Sequence, residues 1–305
     1  MKELEALVKR IDGLVDRLEA LLPAPAQAPN WDASIAFRWR KRSGRGVLAA
    51  VTQLHRIDLD DLRDIDRQKS LVERNTRQFV AGRPANNVLL TGARGTGKSS
   101  LVKALLNRYA RMGLRLIEVD KHDLVDLSEI VELVAGRPER FIVFCDDLSF
   151  EASEPGYKAL KVALDGSIAV ASENLLIYAT SNRRHLMPEF MQENLEYKRV
   201  GEEIHPGETS EEKISLSERF GLWASFYPFD QDEYLDIVTH WLGHFSCSAA
   251  EIEAARTEAL QWALSRGSRS GRAAWQFARD WAGRRGPDAP RAPTRDERKA
   301  ARRRR

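Results

Sequence analysis

An α/β fold is predicted: a parallel five-stranded sheet with helices on both faces, followed by a small all-helical domain. Three observations carry the prediction. The apolar run Val88-Leu89-Leu90 leads into Gly92-x-x-x-x-Gly97-Lys98-Ser99 and then into the helical spacing Leu101, Leu105, Tyr109. Further short apolar runs alternate with helical patterns as far as residue 227. Beyond Pro228 the pattern is helical only.

Residues 1–22 place Leu4, Leu7, Ile11, Leu14, Leu18 and Leu21 at alternating three- and four-residue steps, which makes three heptads of a and d positions. They read as a short coiled coil or a helix seated on a partner protein, or equally as an amphipathic helix folded onto its own domain. The Pro/Ala-rich stretch 23–30 reads as a stiff linker. In the N-terminal segment 31–60, Arg38, Arg40, Lys41, Arg42 and Arg45 interleave with Phe37 and Trp39. A nucleic-acid or phosphate patch is one reading, and a solvated basic segment is the favoured one.

The α/β nucleotide-binding domain is expected over 61–228. Leu71, Val72, Asn75, Phe79 and Val80 space a helix over 66–81, closed by Gly82 and stopped by Pro84. The helix after the glycine-rich loop runs to about Met112, with Gly113 as its cap. Strands follow at 114–119, 141–145, 175–179 and 222–227, with helices at 124–134 and 157–164 between them. Helices over 231–242, 249–266 and 271–283 form the helical domain, 229–283, and Asp230 to Glu233 resembles a capping box. The tail 284–305 holds ten Arg/Lys against three acids, a net of +7, and reads as disordered. With the whole chain at +3, the remainder is −4, so the high pI belongs to the tail.

Cys145 and Cys247 have no metal-ligand spacing, which predicts a reducing compartment. No signal peptide is evident and no apolar run approaches the ~18–20 residues of a membrane span, so a soluble cytoplasmic protein is expected.

Gly92, Ala93, Arg94, Gly95, Thr96, Gly97, Lys98, Ser99 and Ser100 form a complete phosphate-binding loop. Its glycines let backbone N–H groups approach a phosphate chain, and the helix start adds a positive dipole end. Lys98 is expected on the β- and γ-phosphates and the Ser99 hydroxyl on Mg²⁺. The strand Phe141 to Cys145 ends in Asp146 and Asp147, where carboxylates of a parallel sheet face the ligand crevice. Asp146 is placed to hold Mg²⁺ through its waters, and Asp147 to orient or deprotonate an attacking water. The strand Leu175 to Ala179 ends in Thr180-Ser181-Asn182, and Asn182 is placed for the γ-phosphate or the lytic water. His240 and His244 stand at i and i+4, but the residue after the first is Trp241, not the Glu of the zinc motif, so a lid-helix face is the favoured reading.

In the order of these motifs, with Ser217-Glu218-Arg219-Phe220 and the helical domain, the chain resembles the AAA+ ATPase superfamily of the P-loop NTPase fold over about residues 60–283. The runs Asn86 to Leu101 and Ser217 to Leu222 are most similar to an uncharacterised bacterial family of predicted AAA+ ATPases. The resemblance implies ATP as the nucleotide, with Gly92–Ser99 as Walker A, Asp146 and Asp147 as Walker B and Asn182 as sensor 1. It further implies Arg219 as an arginine finger reaching a neighbouring subunit's site, and hence a homo-oligomer, ring or open. Arg272 is implied as sensor 2, with Arg269 as the alternative, and Leu59–Ile65 falls where the superfamily contacts adenine. The implied function is ATP hydrolysis that drives remodelling or loading of a partner. Asp147 departs from the common Walker B glutamate, which suits slow, switch-like turnover; Glu151 is the alternative base. The stretch Asp120 to Val125 lacks the aromatic of protein-threading pore loops. From charge alone, the basic tail and the 38–45 cluster offer nucleic acid as a further partner, with a merely solubilising end as the favoured reading of the tail.

Overall fold

The structure is a computed structural model that describes residues 29–42, 44–54, 56–150, 154–165, 173–182, 198–200, 203–205 and 217–284. The heptads of 1–22, nearly all of the linker, Glu151 and the tail beyond residue 284 lie outside the described residues.

The chain opens with β1 (Ala36–Arg42) and β2 (Arg45–Ala50), followed by α1 (Asp66–Val80), β3 (Val88–Gly92) and α2 (Lys98–Tyr109). Then come β4 (Leu114–Glu118), α3 (Leu127–Val134), β5 (Arg140–Cys145), α4 (Pro155–Asp165) and β6 (Leu175–Ser181). A small antiparallel pair, β7 (Lys198–Val200) and β8 (Glu203–His205), stands apart from the main sheet. It is followed by β9 (Leu222–Phe226) and three helices, α5 (Gln231–His244), α6 (Ala249–Ser265) and α7 (Gly271–Gly283).

The main sheet has seven strands in the order β2-β1-β4-β5-β6-β3-β9, all parallel except the β1–β2 hairpin. Five strands were expected, and the other two come from residues 36–50. There Phe37 and Trp39 are buried while Arg38 and Arg40 face solvent, the period-two alternation of a half-buried strand. Trp39 fixes the hairpin. Its ring lies over Gly46, where a Cβ would stand 1.8 Å away, and its indole N–H donates to Asp126 Oδ2 at 2.9 Å. Two cations of the basic cluster are paired, Arg38 with Glu118 at 2.5 Å and Lys41 with Asp126 at 3.1 Å.

Strands between β4 and β9 are apolar on both faces because both faces are covered. Val88, Leu90, Ile142 and Phe144 pack toward α1, α2 and the helical domain. Leu89, Phe141, Val143 and Ile177 pack toward α3 and α4. Burying each such side chain stabilises the fold by about 1.5–3 kcal/mol relative to exposure. In the helical domain α6 turns the small residues Ala255, Ala259 and Ala263 inward, and the Tyr234 hydroxyl of α5 donates to Ala259 O at 3.1 Å. The capping box of α5 is present, with Asp230 Oδ1 accepting from Glu233 N and Glu233 Oε2 accepting from Asp230 N, both at 2.9 Å. Parallel strands bring the C-terminal ends of β3, β5 and β6 to one edge, and that edge carries the site.

Candidate nucleotide site

The glycine-rich loop leaves β3 at Gly92, whose φ of +123° places it where a Cβ would meet Phe226 O at 1.9 Å. Only glycine fits between β3 and β9 there. Gly95 and Gly97 have φ of +73° and +98°, and α2 begins at Lys98. The Lys98 ammonium donates to Gly92 O and Ala93 O at 2.7 Å each and to Asn182 Oδ1 at 3.2 Å. Burial lowers its pKa below the ordinary lysine value; the charges of Asp146 and Asp147 oppose this and Arg94 adds to it.

The two acids turn toward the loop. The Ser99 hydroxyl donates to Asp146 Oδ1 at 2.6 Å, and so does the Thr180 hydroxyl. Asp147 N donates to Thr180 Oγ1 at 2.8 Å, and the Asn182 amide donates to Asp147 Oδ1. Asp147 has a φ of +53°, the left-handed region that a non-glycine residue enters at a cost. Ser99 and Asp146 together offer hard oxygen donors, a set that fits Mg²⁺. In the sequence Thr180 is only part of a strand end, with no role of its own. Its partners directly follow β5, which pairs with β6 only in the folded sheet.

A cavity of about 770 Å³ holds Arg94 through Ser100 together with Asp146, Asp147, Asn182 and Arg272. Ala93 joins this edge through its N–H, which donates to Phe226 O at 3.2 Å. Arg272 lines this cavity and Arg269 is not among its lining residues. Leu62 and Ile65 also line the cavity; a Cβ at Gly97 would stand 3.8 Å from the first and 3.5 Å from the second. The helical domain sits directly on the loop. Gly271 N donates to Gly95 O at 2.8 Å, and a Cβ at Gly95 would stand 2.8 Å from Ser270 Cβ. Trp241, His244 and Trp275 complete the lid side of the cavity.

Arg219 is elsewhere. It precedes β9, pairs with Asp165 at the end of α4 and lines a second cavity, of about 1000 Å³, at the N-terminal end of the strands. The length of β9 separates it from the loop of its own chain. His240 Nε2 lies 3.3 Å from Asp61 Oδ1.

The loop, the paired acids and the helical domain over them define a phosphate-loop α/β protein with a lid. The chain belongs to the family described as "Protein of unknown function (DUF815)", whose profile spans residues 32–285. No curated protein matches it. Among solved structures it is similar to the Aeropyrum pernix ORC1 protein in complex with DNA, at 16% identity over 80% of this chain and 65% of that one, with a TM-score of 0.49. It is also similar to the Thermotoga maritima RuvB Holliday junction branch migration motor, at 17% identity over 73% of this chain and 63% of that one, with a TM-score of 0.44. The Escherichia coli HORMA:CdnC:Trip13 complex is a third, at 11% identity over 77% of this chain and 92% of that one, with a TM-score of 0.44. The chain thus spans less than two thirds of the RuvB and ORC1 chains. No helix among the described residues is long and apolar enough to cross a membrane.

Proposed function

We propose that this chain is a AAA+ ATPase that binds ATP and Mg²⁺ between the α/β domain and the helical lid of 229–283. The observation that carries the reading is the convergence of Lys98, Ser99, Asp146, Asp147 and Asn182 on one cavity under the lid. Lys98 meets the β- and γ-phosphates, and Ser99 and Asp146 hold the metal. Held there, Mg²⁺ would supply positive charge against the negative charge that develops on the transferring phosphoryl group. Asp147 and Asn182 orient the attacking water, and Arg272 reaches the γ-phosphate from α7. Because Arg219 stands at the far end of β9 from its own loop, it acts on a neighbouring copy, where a guanidinium stabilises charge on the transferring phosphoryl group. That requires a homo-oligomer, ring or open. Turnover drives remodelling or loading of a protein partner engaged through residues 1–22.

The test is the ATPase rate per subunit across a wide range of protein concentration. A rate that rises and saturates supports a site completed between subunits. A flat, substantial rate that survives Arg219→Ala overturns the role given to Arg219.

A second reading, a nucleotide-dependent assembly switch with little turnover, draws on one contact. The Asp147 carboxylate, already a methylene shorter than the common glutamate, is bound by the Asn182 amide. Tight ATP binding with near-zero turnover at every concentration would favour it. Measurable, Arg219-dependent turnover would remove it.

A further inference from the structure

Thr180 is the penultimate residue of β6, beside the two acids, and is 2% exposed. A hydroxyl carries one proton and two lone pairs. Here the proton goes to Asp146 Oδ1 at 2.6 Å, and a lone pair accepts from Asp147 N at 2.8 Å. The Thr180 carbonyl in turn accepts from Leu148 N at 2.6 Å. One residue of β6 therefore holds three consecutive residues at the end of β5. Each bond constrains a different degree of freedom. The bond to Asp146 sets the rotation of the carboxylate whose same oxygen accepts from Ser99. The bond from Asp147 N holds the backbone at the residue with a φ of +53°. A left-handed aspartate persists only when its surroundings impose it, and the hydroxyl of Thr180 is placed to do so.

We propose that Thr180 is a positioning residue of the metal site: it fixes the Asp146 carboxylate against Ser99 and holds the turn that aims Asp147. The proposal rests on the ATP–Mg²⁺ reading of the cavity. It takes Thr180 beyond the strand-pairing role that any buried residue of β6 would fill. Valine is the informative replacement, because it keeps the shape and removes the hydroxyl. It leaves Asp146 without one of its two hydroxyl donors and leaves Asp147 N–H without its acceptor.

The experiment is a Mg²⁺ titration of the binding of a fluorescent ATP analogue to the full chain, with a parallel series in EDTA and a thermal melt of each protein. Thr180→Val is expected to match wild type in EDTA and to need about tenfold more Mg²⁺ for tight binding, the scale of one lost buried hydrogen bond to a charged group. Thr180→Ser, which keeps the hydroxyl, is expected to return the Mg²⁺ midpoint to within about twofold of wild type. A valine variant that melts lower with an unchanged Mg²⁺ midpoint would show a packing role alone and overturn the proposal. If valine does not fold, Thr180→Ala against Thr180→Ser makes the same comparison, since the two differ only in the hydroxyl oxygen. Equal Mg²⁺ midpoints for that pair also overturn it. Wild-type protein that binds no nucleotide in either series overturns the ATP reading itself, and this proposal with it.

Discussion

Lys98 shows how a site residue works against the fold that carries it. Its ammonium is almost covered, and burial lowers its pKa despite two nearby aspartates. The unfolded chain therefore holds that proton more tightly than the folded one. Stability should rise as pH climbs from the lowered value toward 10.5, and at neutral pH the charge is a net cost. Lys98→Met keeps the stem and removes the charge. It is expected to weaken ATP binding about 100-fold, the scale of charge-assisted bonds to phosphate, while melting at or above the wild-type temperature. A scanning melt and a nucleotide titration on the same sample check both, and a clear drop in melting temperature would contradict the stability argument. At this scale much was legible in the sequence. The loop, Asp146, Asp147 and Asn182 announce themselves because each sits at the end of an apolar run, where chain and ligand edge coincide. Thr180 and the lid contact of Gly95 were not legible, because their partners are strands or helices brought alongside only by the fold.

Among the elements, α5 is tied to the segment before α1 by a histidine–carboxylate contact and an ion pair. His240 meets Asp61, and Arg63 Nε donates to Asp236 Oδ2 at 3.0 Å. Burial pushes the Asp61 carboxyl up. The His240 hydrogen bond, the Asp58 N–H and the charges of His240 and His244 outweigh that and leave it below the ordinary value of 3.8. A carboxylate lowered in the folded state stabilises above its ordinary pKa and loses that contribution as pH falls through the folded value. Asp61→Asn should thus cost about 1 kcal/mol at pH 7. The gap to wild type should close as pH drops below about 4. Denaturant melts at several pH values read it out, and a gap that stays constant into acid would remove the charge of Asp61 from the explanation. Most elements followed from periodicity, down to the capping box of α5. The β1–β2 hairpin did not, because arginines on its outward face made charge the louder signal than the alternation of Phe37 and Trp39. Two of its cations are paired, with Glu118 and Asp126.

For the whole molecule the decisive geometry is a separation. The loop lies at the C-terminal edge of the sheet and Arg219 at the opposite edge, so one chain does not bring the loop and the proposed finger together. If those halves meet between copies, two inactive variants should repair each other. Lys98→Ala lacks a working loop but keeps Arg219. Arg219→Ala keeps the loop but lacks the finger. In an equal mixture that exchanges subunits freely, about a quarter of the contacts pair an intact loop with an intact finger, and ATPase activity should return to roughly that share of wild type. A coupled assay on each variant alone and on the mixture, at a concentration where wild-type turnover is saturated, makes the comparison. Repair also reports direction: the restored sites belong to the Arg219→Ala copies, so only those should bind a labelled nucleotide. A mixture that stays as inactive as its parts, although the subunits exchange, would mean that the arginine at the start of β9 serves its own chain or serves only its pairing with Asp165.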